Sequence, residues 1–429
     1  MIDIEKLRQD PDLYKSSMQK RGLSDALIDE VLKIDLTWRN QIQVVEQLKA
    51  KQKEFSKERN IEKAKEVKEE LSPKEEKLKE IEKERKTLLL QVPNLVLESV
   101  PEGKSDRDNV TVSTWSEPTK FSFKAKEHHE LGERLSMIDT ARAAKVSGSR
   151  FSYLLSDVAK LEFALIQCAL DLLTQEKFIK KALKKAGVEL SSTPFTPVIP
   201  PVLVKEEMMQ AMGYTERGVE EIYKTAEDTL YLVGTSEQSV GPMHAGETFK
   251  AQDLPRRYLS FSSCFRREAG TYGKDMKGIF RLHQFDKLEM FSISTQENSD
   301  KEHKFLLAVE ELLMQKLDLP YRVLNICSAD LGDPAAAKYD IEAWMPGQNE
   351  GRGQYRETHS TSNTTDFQSR RLGIKYQDEK GLHVAHLLNG TAFSMRPLIA
   401  IMENYQTEEG NIRVPKVLQK YLGKKVIQI

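Results

Sequence analysis

Cysteine is scarce. Cys168, Cys264 and Cys327 are the only three in 429 residues, scattered and odd in number. That excludes a disulfide framework and points to a reducing compartment. No Cys/His cluster has the spacing of zinc ligands, and His128-His129 stands alone, reading as a solvated helix or loop feature. Excess charge is missing too. The 65 Lys and Arg balance 66 Asp and Glu to a net −1, so no global field recruits nucleic acid and RNA contacts must come from local patches. No apolar run is long enough to span a bilayer, and no basic, apolar leader opens the chain. The expectation is a cytoplasmic protein with no membrane partner. The length allows two or three domains, and 31% charged residues imply a heavily solvated part.

That solvated part comes early. After a short helical lead-in ending at Gly22, Leu27, Val31, Ile34, Trp38, Val45, Leu48 and Phe55 fall at steps of three, four or seven. A second run follows Arg59-Asn60, with Ile61, Ala64, Val67, Leu71, Leu78, Ile81 and Leu88, and Lys and Glu between. Two helices with one narrow apolar stripe each make an antiparallel coiled-coil hairpin over about 26–92, turning near Ser56–Glu62. Pro73 costs about 3 kcal/mol in a helix interior but is tolerated in a first turn. The second helix is therefore expected to restart with Ser72 as N-cap. A stripe this narrow buries little, so the outer faces serve either assembly or RNA. Lys49, Lys51, Lys53, Lys57 and Arg59 form a locally basic stretch toward the tip.

The polar stretch PEGKSDRD reads as a linker. The domain boundary is placed around 105–120, dividing 1–108 from 109–429. Ala159–Gln175 is a strong amphipathic helix. A basic, Gly-broken connector, Lys177–Thr193, follows it and reads as a helical extension with a solvated face. FTPVIPPVLV comes next, a strand whose prolines belong at a sheet edge or interface.

The stretch LSFSSCFRREAGTYGKDMKGIFRLHQFDKLEMF, residues 259–291, has two alternating runs around a polar, Gly-containing middle. It reads as two antiparallel strands joined by a long loop. Arg266 and Glu268 share a face if the first run is extended, as do Arg281, Phe285 and Glu289 on the second. Arg forks grip phosphate, an aromatic ring stacks on a base and a carboxylate accepts an amine, so the surface suits a nucleotide.

CFRREAG, a loop, then RLHQFDKLEMF resembles motif 2 of class II aminoacyl-tRNA synthetases, in the seryl-tRNA synthetase version. TSNTTDFQSRR, within residues 355–371, matches the most distinctive stretch of that branch. HLLNGTAFSMRPLIAIMENYQ, 386–406, looks like motif 3, and the helix and proline-rich strand over about 159–204 resemble motif 1.

The resemblance implies an α+β fold: a class II antiparallel sheet flanked by helices, plus an N-terminal coiled-coil arm. The implied activity is a serine–tRNA ligase. Serine and ATP give seryl-adenylate and pyrophosphate, then the seryl group passes to the 3′ end of tRNA(Ser), with tRNA(Sec) a further candidate acceptor. Thr235, Ser236, Glu237, Arg266, Glu289 and Thr391 would bind L-serine. Arg266, Arg267, Glu268, Arg281, Phe285, Glu357, Thr358, His359, Ser360 and Arg396 would bind ATP. Arg266 and Arg396 would be catalytic, and Glu357 and Ser360 would hold Mg²⁺. His359 departs from the family and reads as an outward-facing replacement. Gln238-Ser239 replaces an apolar-Pro pair, and one residue is missing before Arg396. The resemblance also implies a homodimer and an arm that grips tRNA(Ser). The motif 2 loop, Gly270–Gly278, would meet the acceptor end, with Lys274, Asp275 and Lys277 as candidate contacts. The alternative is a paralogue that binds amino acid or RNA without charging tRNA.

Overall fold

A computed structural model describes residues 1–269, 275 and 277–428. The chain divides into two compact units, Met1–Leu95 and Val96–Ile429. The division falls before the expected 105–120. Val96, Leu97 and Val100 already pack with Leu324, Ile326, Leu331, Ala335 and Ala337, so the polar stretch after them falls in the second unit.

In the first unit, α1 (Ala26–Lys57) and α2 (Ile61–Gln91) form the hairpin. Val45, Leu48 and Leu71 are buried between them, with Val67 and Leu78 alongside. The turn passes through Arg59, at φ 58°, to Asn60, whose side chain accepts the Lys63 N–H at 3.2 Å. The expected restart at Ser72 does not occur, for α2 runs through Pro73 unbroken. Pro73 lies on the exposed face, where the carbonyl that its missing N–H leaves free is open to solvent. Leu71 and Leu78 hold the seam on either side. At the base, fully buried Asp35 takes Arg8 at 2.7 and 2.8 Å and Arg85 at 2.8 Å. Burial disfavours its charge, but these two arginines outweigh that and hold its carboxyl below the usual range.

The second unit is built on an eight-stranded sheet. In chain order its strands are β1 (Val110–Trp115), β2 (Thr196–Val198), β3 (Arg256–Phe265), β4 (Gln284–Ser294), β5 (Tyr321–Asn325), β6 (Ala337–Met345), β7 (Gln354–Asn363) and β8 (His386–Ser394). Their spatial order is β1-β5-β6-β7-β8-β4-β3-β2. Every neighbouring pair is antiparallel except β2 with β3 at the edge. Helices α3 (His128–Arg134), α4 (Ser156–Leu173), α5 (Glu176–Ala186), α6 (Ser299–Leu317) and α7 (Met395–Asn404) contribute to this unit. Apolar residues of all five join one core with the central strands.

The basic connector becomes α5, a helix of its own. Phe178, Ile179, Ala182 and Leu183 enter that core while Lys177, Lys180, Lys181 and Lys184 stay exposed. The proline-rich run breaks at Pro200-Pro201, leaving β2 at the edge and a short pair, Leu203–Lys205 with Leu230–Leu232. Among the described residues no helix is long and apolar enough to cross a membrane.

Candidate active site

Strands β3, β4, β8, β7 and β6 place polar residues side by side. Ser260 lies opposite Glu289, Glu289 opposite Thr391, Thr361 opposite Gly390, and Ser360 opposite Asp340. A cleft of about 700 Å³ opens over them. Of the residues expected there, Thr235, Glu237, Arg266, Glu268, Arg281, Phe285, Glu289, Glu357, Thr358, Ser360, Thr391 and Arg396 all line it. The guanidiniums of Arg266 and Arg396 thus share one cavity with Glu289 and Thr391.

One end holds two carboxylates, Glu237 and Glu289. Thr235 Oγ1 donates to Glu289, and Lys287 Nζ sits 2.7 Å from Thr235 Oγ1 and 2.8 Å from Glu289 Oε2. Tyr214 Oη donates to Glu237. Burial, then the nearby Glu289 charge, pushes the Glu237 carboxyl up to about 7, against the pull of Tyr214, Lys287 and Arg266. The strand Leu230–Leu232 leads into this turn, and a short helix begins at Glu237. Gln238 shapes it by accepting the Gly234 N–H at 2.8 Å, so this departure from the family has a role of its own.

Thr391 sits where the β8–β4 register slips by one residue. The slip turns its N–H toward fully buried Glu310 on α6, whose Oε1 accepts it at 3.0 Å. Glu310 reaches the sheet because residue 390 is glycine. A Cβ there would come within 3.1 Å of Glu310 Oε1 and of Thr361 Oγ1. Burial, then Asp340, raises the Glu310 pKa well above the carboxylate range.

The other end carries the arginines. Arg266 and Glu268 are not on a strand, because β3 ends at Phe265 and Glu268 has φ 51°. Arg281 likewise precedes β4 by three residues. The loop ends, not a shared strand face, bring them in. Arg266 Nε donates to Gly234 O at 3.1 Å and its guanidinium lies 5.3 Å from the Phe285 ring. Arg281 pairs with Glu268 and lies 3.6 Å from Asp275. Phe280 faces two cations, Arg356 at 3.7 Å and Arg396 at 5.0 Å. Ser394 caps α7 by accepting the Arg396 N–H at 3.3 Å, aiming that side chain into the cleft despite the missing residue before it.

Arg396 also pairs with Glu357 at 2.8 Å. Burial works against the Glu357 charge, but Arg396, Lys338 and Arg266 outweigh it and hold the carboxyl at about 2. Glu357 and Ser360 are three apart, a spacing that would put them on opposite faces of a regular strand. The β7–β6 register slips at Thr358, and this extra residue turns both into the cleft.

Three expected residues stay out of the cleft. Ser236 is buried beneath the turn, its Oγ donating to Ser260 O at 3.5 Å. Arg267 is exposed. His359 faces neither solvent nor cleft, since the alternation after Thr358 turns it into the core. There Nε2 meets Ala392 O at 3.0 Å and burial drives its pKa down to about 4, so the ring is neutral. In the motif 2 loop, Asp275 is held by Arg356 at 2.8 Å and Lys277 is exposed, while Lys274 lies outside the described residues.

Sequence reading missed Tyr214, Phe280, Lys287, Glu310 and Lys338. Lys287 was within reach, since period two from Phe285 to Glu289 passes through it. Lys338 shares a β6 face with Asp340, 3.0 Å away.

The family profile for the tRNA synthetase class II core domain (G, H, P, S and T) matches residues 219–405, and that for the seryl-tRNA synthetase N-terminal domain matches 1–96. The serine–tRNA ligase of Fervidobacterium nodosum is 40% identical, over 100% of this chain and 99% of its own. That of Thermobifida fusca is 42% identical at the same coverage. The crystal structure of seryl-tRNA synthetase from Pyrococcus horikoshii complexed with ATP superposes with a TM-score of 0.88 at 39% identity, covering 100% of this chain and 99% of that one. The cytoplasmic serine–tRNA ligase of Naegleria fowleri in complex with AMP gives 0.86 at 34% identity and the same coverage. A cleft with this arrangement, two matching profiles and full-length relatives agree: the chain belongs to the seryl-tRNA synthetase family of class II aminoacyl-tRNA synthetases.

Proposed function

We propose that the chain activates L-serine with ATP and transfers the seryl group to the 3′ end of tRNA(Ser). The observation that carries this reading is the single cleft with a carboxylate-and-hydroxyl end and an arginine end. Serine's ammonium needs acceptors only, and Glu237 and Glu289 with the Thr235 hydroxyl supply them. Its side-chain hydroxyl falls to Glu289 and Thr391. Arg266 lies between the ends, where it faces both the serine carboxylate and the α-phosphate.

A serine carboxylate oxygen attacks the α-phosphorus, the bond to the β-bridging oxygen breaks and pyrophosphate leaves. Arg266 meets the charge that builds in that step. Arg281 and Arg396 take the outer phosphates, Phe285 or Phe280 the adenine face, and Glu268 the adenine amine after exchanging its Arg281 partner. A tRNA ribose hydroxyl then attacks the seryl carbonyl carbon, and AMP departs. No protein nucleophile is needed, and placement carries much of the rate.

Mg²⁺ fits the chain's own chemistry. Ionised Glu357 and the Ser360 hydroxyl are hard oxygen donors, and the buried Oδ1 of Asp340, opposite Ser360, has no hydrogen-bond partner among the described residues. Bound there with the phosphates, the ion would neutralise their charge.

For partners, the arm and the motif 2 loop around exposed Lys277 are assigned to tRNA. Motif 1 is assigned to a homodimer interface, for which Phe163 and Ile199 stand 65% and 87% exposed. Three buried free thiols suit the reducing cytoplasm. The paralogue reading loses its motive, because His359 lies outside the cleft and Arg396 lines it.

Serine-dependent exchange of pyrophosphate into ATP is the test. Arg266→Ala should reduce it by about a hundred- to a thousandfold. Exchange with another amino acid in place of serine overturns the reading.

A further inference from the structure

His128 is one residue of the pair that reads as a solvated feature, yet it is 2% exposed. It opens α3, and each ring nitrogen has one partner. Nδ1 lies 3.1 Å from Glu403 Oε1 on α7, and Nε2 receives the backbone N–H of Ile279 at 3.1 Å. Glu403 is fully engaged as an acceptor, taking His128 N at 3.1 Å, Gly347 N at 3.0 Å and Gln348 Nε2 at 2.8 Å. A backbone N–H can only donate, so Nε2 must carry the lone pair and Nδ1 the proton. Both neighbours therefore demand the same tautomer.

What the ring joins matters more. Ile279 opens the segment after the motif 2 loop, and Phe280 and Arg281, which follow it, line the cleft. Glu403 lies on the helix that begins at Met395 and carries Arg396 in its first turn. Gly278 has φ +75°, and a Cβ on it would lie 2.1 Å from His128 Nε2. The close approach of ring and backbone thus requires glycine there.

We propose that His128 is a positioning residue for the nucleotide half of the cleft. It clasps the root of the motif 2 loop to the motif 3 helix and so keeps Phe280 and Arg281 in register with Arg396. The proposal rests on the ATP reading of that half, but its first test does not.

Amide hydrogen exchange on the full chain reads the clasp directly. In His128→Leu the Ile279 amide should exchange about tenfold faster, the worth of one buried hydrogen bond, and His128→Gln, which keeps an acceptor, should recover part of that protection. Unchanged Ile279 protection in His128→Leu overturns the proposal whatever the protein's activity. In pyrophosphate exchange, KM for ATP should rise about tenfold while KM for serine stays within about twofold, with Gln again restoring part. Gly278→Ala should reproduce the ATP effect by displacing the ring, and serves in place of His128→Leu if that variant does not fold. Equal rises in both KM values mean general damage and overturn the positioning role. An unmodified chain with no serine-dependent exchange overturns the functional reading instead, and the amide measurement still decides the clasp.

Discussion

Glu237 and Glu289 share one end of the cleft with Lys287 and Tyr214, so the protonation of Glu237 is coupled to whatever cation arrives. Burial, then Glu289, lifts the Glu237 carboxyl from its ordinary 4.5 to about 7. Between those values the folded chain holds a proton that the unfolded chain has released, so this group's contribution to stability falls as pH rises through the window. Serine's ammonium wants the carboxylate, so KM for serine should fall over the same rise. A KM profile between pH 5.5 and 8 checks it, and Glu237→Gln should flatten the profile near its low-pH value, so that serine binds more weakly than in the unmodified chain at the upper end of the range. Glu310 makes a second case. Burial keeps its acid neutral and its use is to accept the Thr391 N–H. Glu310→Gln, neutral and with an acceptor, should leave KM for serine within about threefold. Glu310→Ala should raise it by about an order of magnitude and loosen discrimination against alanine, since a freed Thr391 is no longer aimed. Steady-state exchange with both amino acids separates the two variants. At this scale the sequence was legible where a motif names residue types at fixed spacing, as for Arg266, Glu289 and Arg396. It was silent on Tyr214 and Glu310, which come from distant elements and carry no local pattern.

Among the elements, period and register decide what a motif means. A strict alternation puts Glu357 and Ser360 on opposite faces, and only the slip at Thr358 reconciles their common place in the cleft with their spacing of three. Sequence periodicity cannot reveal such a slip, because the extra residue is recognisable only against its partner strand. The same limit explains His359, an apparent surface replacement that alternation from the slip turns inward. Pro73 misled for a different reason. Propensity treats every helix interior alike, whereas an exposed position on a helix held by its partner tolerates the lost bond. The α5 connector carries a prediction. Arg257 and Glu302 have no exposed side-chain surface and pair at 2.7 Å, while Arg257 Nη1 also donates to Ser191 O at 2.8 Å and Thr193 O at 2.9 Å. That cation ties the connector's end to β3 and α6. Arg257→Met leaves a buried carboxylate unpaired and should cost about 3–5 kcal/mol, and a second change, Glu302→Gln, should return part of it. Urea denaturation of the three proteins measures this.

For the whole molecule, the question is what a solvated hairpin adds to a catalytic unit with a core of its own. Apolar contacts along the hairpin are few, its seam holding Val45, Leu48 and Leu71, while Asp35 with Arg8 and Arg85 secures its base. Base and tip can therefore be separated. Trp38 Nε1 lies 3.3 Å from Glu82 Oε1, so the helices run side by side at that level. Removing residues 42–78 and closing the gap with a short glycine turn keeps the Asp35 knot and the Trp38–Glu82 level. The cleft residues all lie in the other unit. Serine-dependent pyrophosphate exchange should then persist within about twofold, because every residue lining the cleft is retained. Charging of tRNA(Ser) should fall on the order of a hundredfold in kcat/KM, the usual worth of a second binding module on the same ligand. The residual charging should show a shallower dependence on salt, since Lys49, Lys51, Lys53, Lys57 and Arg59 all leave with the tip. Sedimentation of the shortened chain at matched concentration decides between the two uses of a narrow-seamed hairpin. A dimer with lost charging assigns the arm to RNA, and a monomer with proportionate loss of both reactions assigns it to assembly.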